Sequence, residues 1–333
     1  MCEWCTKLAI GILLIPAKGA FAFTCEAVTS STTVQPKAMT IQRDTPVGSL
    51  IAQVKSGIVT AYKCSNTSPP VDWQGRGVRG KGTYAGHFDG KRVYKTNVKG
   101  IGYAVGVAPF DECNMGQQVW VDAPSSVYQP DLRLYCNGGF LGPQMKAQAV
   151  IHFYKTESTT GTGTVSGKQV GAFVLGNNDA WHHPESTISI GSFSVAAVSC
   201  SVGSKLILVD LGRVDVDAFS GPGTSPSRNW TKAFNIPLTC EKGASINLQL
   251  DGTAHDAEKG MLKLSSTPSS ATGVAIQLLH NDKPVTLAKR FKWKIADADG
   301  DYTIPLKARY VQISKSITPG VANGSATFTV TYQ

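Results

Sequence analysis

Acidic residues are scarce in this chain: 23 Asp and Glu stand against 32 Lys and Arg in 333 residues, a formal charge of +9. The excess is spread evenly, with 15 basic and 11 acidic side chains in residues 23–199 and the same numbers in residues 200–333. There is thus no basic tail, and nothing points to nucleic acid. Helical periodicity is nearly missing. No C-x-x-C pair occurs among the cysteines after residue 22, and no G-x-S-x-G occurs anywhere. No nucleophile–base or metal motif stands out, so an enzyme is the least expected class. No apolar run after the first 22 residues is long enough to cross a membrane.

Short alternating segments are what the chain has instead. Val150, His152 and Tyr154 alternate with Ile151, Phe153 and Lys155. Residues 170–175 (VGAFVL), 205–211 (KLILVDL), 246–250 (INLQL) and 274–278 (VAIQL) read as strands. Asp89-Gly90, Asn137-Gly138-Gly139, Asp251-Gly252 and Asp299-Gly300 are turn signals between them. The expectation is an all-β chain of sandwich or barrel type. A boundary is expected in residues 194–199. This gives an N-terminal β-sandwich or jelly-roll unit, 23–196, and a second β unit, 197–333.

The N-terminus reads as an export signal. Lys7 precedes the apolar residues 8–15, and Ala20-Phe21-Ala22 offers small residues where a signal peptidase cuts. Residues 1–22 are expected to leave, making Phe23 the mature start. Of eight cysteines, Cys2 and Cys5 would go with the signal and six remain. An even number in an exported chain suggests disulfides. Local pairing, Cys25–Cys64, Cys113–Cys136 and Cys200–Cys240, is the simplest scheme, although spacing alone leaves other pairings open.

Several local features invite a chemical reading. Gly176-Asn177-Asn178-Asp179-Ala180-Trp181 places amides, a carboxylate and an aromatic just after a strand, the residue types a sugar pocket uses. The plainer reading is an ordinary turn with Trp181 in the core. His87, His152 and one of the adjacent pair His182-His183 would make an open zinc site if the fold gathered them. Cations crowd residues 73–99, where Arg76, Arg79, Lys81, Lys91, Arg92, Lys95 and Lys99 face only Asp89. Such a patch would attract acidic glycans, or be a solvated loop. Residues 75–80 (GRGVRG) fit G-x-G-x-x-G without a β–α–β pattern and are expected to form a loop. Residues 297–301 (DADGD) lack the full calcium-loop spacing and read as a hairpin turn.

The last fourteen residues carry the most. Ala326, Phe328, Val330 and Tyr332 alternate with Ser325, Thr327, Thr329 and Thr331, which is a strand with one apolar face. The chain stops at Gln333, so an edge is expected to be left for another chain. A penultimate tyrosine, Gly320 fourteenth from the end, Cys200 and Cys240 about 40 residues apart, residues 234–240 (FNIPLTC) and 273–278 (GVAIQL) occur together. Residues 197–333 thereby resemble the pilin domain of type 1-like pili assembled by the chaperone–usher pathway. That resemblance implies an incomplete immunoglobulin-like sandwich lacking its last strand. Gly320, Ala326, Phe328, Val330, Tyr332 and Gln333 would then form the interface with a periplasmic chaperone and later with the adjacent subunit, delivered through an outer-membrane usher.

The mature start Phe23-Thr24-Cys25 shows no polar donor extension, and about 175 residues precede Cys200. The whole chain therefore resembles the two-domain tip adhesins, which accept a strand and sit at the distal end. A mannose-binding tip adhesin also begins Phe-x-Cys and has a first disulfide of similar span. By that likeness Phe23 and Asn66 join Asn177, Asn178, Asp179 and Trp181 as candidate ligand-binding residues. Thr67 and Ser68 stand where the mannose binder has an acid and a tyrosine. The expected function is attachment of a bacterium to host-surface receptors, glycans first. The alternatives are a protein or abiotic surface, with or without zinc, and a non-adhesive tip or minor pilin.

Overall fold

A computed structural model describes residues 24–65, 71–113, 117–123, 128–139, 141–178, 180–226 and 230–332. The signal segment, Phe23, Asn66, Asp179 and Gln333 lie outside these. Among the described residues the structure is β throughout, apart from one 3-10 turn at Val216–Ala218. Among the described residues no helix is long and apolar enough to cross a membrane.

The strands fall into two sets that share no sheet. In the first set, the strand Gln144–Lys155 is the centre of an eight-stranded sheet. It pairs along nine residues with Ile101–Pro109 and, on its other side, with Val59–Ser65 and Leu50–Lys55. Met145, Ala147, Ala149, Ile151 and Phe153 project into the first core, which is the period-2 pattern written into the sequence. The opposite face is covered too. The Trp120 ring lies tilted against His152 at 4.1 Å, and Phe88 lies over Tyr154. A half-covered outer face is why this strand is polar at His152 yet buried there.

A six-stranded sheet closes the sandwich, with Lys168–Asn177 between Gln74–Gly80 and Ser186–Ile190. Residues 75–80 are therefore a central strand, not the loop expected from their glycines. The glycines answer crowding on the strand's faces. A Cβ on Gly77 would strike the carbonyl of Arg133, and one on Gly75 would sit 2.6 Å from the Trp73 ring. A glycine repeat thus marks close approach of neighbours here rather than a turn.

In the second set, Gly300–Gln312 pairs along nine residues with Lys232–Cys240 and on its other side with Val274–His280. A three-stranded sheet, Phe291–Ile295, Ser245–Asp251 and Thr327–Tyr332, packs across it. Ile236, Leu238, Ile246, Leu248, Ile304 and Leu306 fill the space between. Residues 205–211 depart from expectation. Ile207 and Val209 pack on the second core, but residues 205–211 join no sheet. A cleft separates them from the strand Thr327–Tyr332, so no ladder is within reach.

All three local disulfides form: Cys25–Cys64, Cys113–Cys136 and Cys200–Cys240. Two of them join directly opposed residues of antiparallel pairs. Residues 297–301 turn the chain between Phe291–Ile295 and Gly300–Gln312, but those strands lie in different sheets, so this is not the hairpin expected; Asp299 accepts the Lys242 N–H.

Val195 belongs to the first core and Val198 to the second. The strand Phe193–Val198 that carries both runs parallel to Met39–Gln42. Just past that strand the two halves are clasped. The Gln42 amide donates to Gly243 O at 2.8 Å and accepts the Ser245 N–H at 2.8 Å. Asp44 N–H donates to Tyr332 O, and Tyr332 N–H donates to the Asp44 carboxylate at 3.0 Å. The Arg43 guanidinium lies 4.5 Å over the Tyr332 ring. Beneath them the buried Lys155 donates to Arg43 O at 2.6 Å. Burial lowers the pKa of that lysine, while Asp44 opposes the shift. Gln42→Ala removes a two-point link to backbone, worth about 1–2 kcal/mol. Calorimetry of the full chain should show melting of the two halves drawn apart; an unchanged single profile would mean the link contributes nothing.

Candidate functional site

A concavity of about 1370 Å³ lies in the second half. One lip is the strand Thr327–Tyr332, which pairs only with Ser245–Asp251 and offers its other edge to the cleft. The other lip is the unpaired run 205–215. Phe234, Ile236, Leu250, Ile276 and Leu278 form the floor, and Phe328 and Val330 reach in from the lip. The alternation at the C-terminus does this: Phe328 and Val330 are half-buried in the cleft while Thr329 between them is exposed. Gly320 and Ala326 also line the cleft. At Gly320 a Cβ would lie 2.5 Å from Ala271 N, so the chain can pass there only as glycine.

Chemically this is a slot with an apolar floor and two lips whose backbone groups lack strand partners. A strand laid in it would gain ladder hydrogen bonds and bury alternate side chains. Each leucine-sized side chain so buried contributes about 1.5–3 kcal/mol. Four of the six expected interface residues, Gly320, Ala326, Phe328 and Val330, meet here. Tyr332 does not line the slot. It is buried at the strand's far end, under Arg43, and burial raises its hydroxyl pKa. Gln333 lies outside the described residues.

The loop candidates of the first half gather at one place, with both amide oxygens occupied. Asn178 takes a positive φ of 46° and its Oδ1 accepts the Trp73 N–H at 2.9 Å. Asn177 Oδ1 accepts from Gln74 at 3.0 Å, and its Nδ2 donates to His182 Nε2 at 2.8 Å and contacts Cys25 Sγ. Burial lowers the His182 pKa, in keeping with a ring nitrogen that accepts. Trp181 meets Trp73 edge to face at 6.3 Å, with Arg79 5.7 Å over its ring. The amides fix the turn, and the tryptophan pair is what the turn presents. Phe23, Asn66 and Asp179 lie outside the described residues.

Beside this loop is a buried ionic group. Arg76, fully buried, reaches Asp111 at 2.9 Å and Glu112 at 2.9 Å, and donates to Gly142 O at 2.7 Å. Tyr135 donates to Asp111 at 3.0 Å; burial first, then that carboxylate, raises its pKa well above the ordinary value. Four of the seven cations in the stretch 73–99 are thus engaged in ion pairs, while Lys81, Lys95 and Lys99 are exposed. Arg79 pairs with Glu185, Lys91 with Asp89 and Arg92 with Asp131.

The histidines do not share partners. His87 contacts Asp122 O at 2.9 Å, His152 lies between Gln53 and Tyr154, and His182 faces Asn177. Among the described residues no group of three or more His, Cys, Asp or Glu is placed to hold a metal.

The second half is thus a β-sandwich with one strand position open along its edge. Residues 186–333 match the family described as fimbrial protein. A type-1 fimbrial protein subunit of Serratia marcescens is 34% identical over 137 residues, 38% of this chain and 73% of that one. The type-1 fimbrial protein A chain of Escherichia coli K12 is 35% identical over 145 residues, 41% of this chain and 78% of its own length. The chain belongs to the fimbrial protein family. Its members are structural rather than catalytic and are exported and displayed on pili. Among solved structures, the CupB6 tip adhesin of Pseudomonas aeruginosa aligns over 86% of this chain and 87% of its own, at 17% identity and a TM-score of 0.35. The receptor-binding domain of the Klebsiella pneumoniae adhesin MrkD1P aligns over 54% of this chain and 99% of its own, at 16% identity and 0.35.

Two outcomes test this geometry. Burial first of all, with the nearby Lys91 charge adding, depresses the His152 pKa from 6.5 to about 4. A neutral ring in the native state means the unfolded chain binds the extra proton between those values. The stabilisation is then complete above pH 6.5 and is lost as pH falls toward 4, amounting to about 3 kcal/mol. Urea midpoints at several pH values should show this fall, and His152→Gln should flatten it. Arg76→Ala strands Asp111 in the interior and should cost about 3–5 kcal/mol, read as a lowered urea midpoint.

Proposed function

We propose that this fimbrial protein is a two-part tip adhesin. Its second part, residues 197–333, joins the pilus by accepting a donor strand, and its first part, residues 23–196, attaches the bacterium to a host glycan. The observation that carries the reading is the apolar cleft between the strand Thr327–Tyr332 and residues 205–215, lined by Phe328 and Val330. A periplasmic chaperone would fill it first, and the adjacent subunit would replace the chaperone after delivery to an outer-membrane usher. Thr24–Ala27 pairs with Val59–Ser65 and is held by Cys25–Cys64. That segment is engaged inside the first part, which favours a subunit that receives a strand without giving this one. The three disulfides suit a protein that works outside the cell.

For the receptor, the Trp73–Trp181 pair beside the amide-braced turn favours a sugar ring over a charged surface. One shallow site of this kind would act through avidity over many pili. The same turn is compatible with a protein or abiotic receptor, and the separated histidines give zinc no geometric support.

A peptide with alternating apolar residues, mixed with the purified full chain, should raise its melting temperature. Saturation at a hundredfold excess over Kd corresponds to about 3 kcal/mol. Phe328→Ser should abolish the rise; a peptide without effect would sink strand acceptance. The peptide-filled chain should then be applied to a glycan array with zinc or with chelator. A chelator-insensitive hit weakened by Trp181→Ala supports the lectin reading. No hit in either condition overturns it in favour of a protein or surface receptor, and a hit lost with chelator returns the site to the histidines.

A further inference from the structure

Gln74, Asn177 and His182 form one hydrogen-bonded row that begins at the buried Arg76. Gln74 and Arg76 are two places apart on the strand Gln74–Gly80, so they share the face that also carries the core residue Val78. Asn177 stands directly opposite Gln74. His182 donates its N–H to Leu175 O and so falls on the same inner face. Only one set of donor and acceptor roles fits this row. A guanidinium and a backbone N–H can only donate, so Arg76 Nη2 and Leu141 N, both at 3.3 Å, fix the position of Gln74 Oε1. Gln74 Nε2 then points at Asn177, whose Oδ1 accepts at 3.0 Å. Asn177 Nδ2 in turn faces His182 Nε2 at 2.8 Å. That nitrogen has to accept, so His182 is neutral and carries its proton on Nδ1.

A protonated His182 does not fit. Its Nε2–H would meet the amide hydrogens of Asn177. Turning the Asn177 amide over would set its Nδ2 against Gln74 Nε2. Turning Gln74 as well would set that Nε2 against the Arg76 cation. Arg76 has no freedom to yield, since Nη1 meets Asp111 and Glu112 at 2.9 Å each and Nη2 meets Gly142 O at 2.7 Å. Every rearrangement therefore leaves donors facing donors inside the fold. The surroundings act the same way. Burial, and then the charge of the adjacent His183, oppose protonation of the ring, while a hydrogen bond to the Cys25 backbone favours it. The Tyr62 ring, 6.3 Å away, uses its hydroxyl on Phe173 O and Ser186 N–H. Glu185 pairs with Arg79 at 2.9 Å. Glu26 and Lys63 alternate with the bridged Cys25 and Cys64 and are exposed. Trp181 precedes His182 and so takes the opposite face, over Gly176 and edge-on to Trp73. Pinning His182 inward holds Trp181 outward.

We propose that Arg76 and Gln74 are positioning residues for the Trp73–Trp181 loop, which they hold through a one-way hydrogen-bond row that only a neutral His182 completes. Its bearing on attachment rests on the reading of that loop as the receptor site; the row itself does not. A released loop binds a proton on His182 at the ordinary pKa of about 6.5. The held loop is thus complete above that value and is given up as pH falls through the lower pKa of the held ring. The full chain with isotope-labelled histidine should be studied by long-range proton–nitrogen spectra, with His182 assigned from its loss in His182→Gln. Well above the ordinary histidine pKa, a protonated Nδ1 and a bare Nε2 are expected. Gln74→Glu keeps the shape and suits Arg76, but offers Asn177 an acceptor. The Asn177 amide should then turn, moving the His182 proton to Nε2 and raising its titration above that of the unchanged protein. Asn177→Asp should have the same effect and serves if Gln74→Glu folds poorly. On acidification the indole N–H signals of Trp73 and Trp181 should move with the His182 titration, and that of Trp293 in the second half should not. An Nε2-protonated ring in the unchanged protein overturns the proposal. So does a His182 spectrum that neither variant moves, and so do loop tryptophans that ignore the titration. If the spectra behave as expected while a glycan array gives no hit, the row stands and the glycan reading alone falls.

Discussion

Everything in the second half turns on one unmet backbone requirement. The strand Thr327–Tyr332 satisfies one edge against Ser245–Asp251 and leaves the other facing a cleft. Buried backbone groups are almost always paired in folded proteins, and a long bare edge invites pairing with another chain. Phe328 and Val330 make that pairing selective, since only an extended segment with apolar residues at alternate positions matches their spacing. The run 205–215 on the opposite lip has the same need.

The clasp at Gln42, Arg43 and Asp44 ties this requirement to the first half. Tyr332 ends the same strand that walls the cleft, and its backbone is hydrogen-bonded in both directions to Asp44. Whatever orders Thr327–Tyr332 therefore also orders the contact with Met39–Gln42 and, through Arg43 O, with the buried Lys155 at the end of the central strand. The two cores are separate, yet their boundary is a hydrogen-bonded surface rather than a slack linker.

How much of this was legible beforehand depended on the range of the interaction. Period-2 strands such as residues 150–155 and 325–332 declare themselves locally. The disulfides followed the simplest local scheme, although only the fold, which sets Cys25 opposite Cys64 and Cys200 opposite Cys240 on antiparallel strands, selects it among the possible pairings. The first-half loop was legible as a turn but not in its partners. Gln74 and Trp73 reach Asn177 and Asn178 from more than 100 positions away. Charge counting failed for the same reason, since Arg76, Arg79 and Arg92 find their acids at Asp111, Glu185 and Asp131. The glycines of residues 75–80 misled because crowding by Trp73 and Arg133, the cause of their small size, exists only in the folded sheet. Apolar residues 205–211 read as a strand, but a strand is a relation between two segments, and the chain supplies only one.

The three disulfides have a mechanical consequence as well. They close successive, non-overlapping loops with separations of 39, 23 and 40 residues. A pulled chain can pay out only what lies outside those loops. Together they withhold roughly 100 residues of contour, on the order of 300 Å at ~3.3–3.6 Å per residue. Under tension the chain would therefore lengthen by less than its full contour, because those loops stay closed.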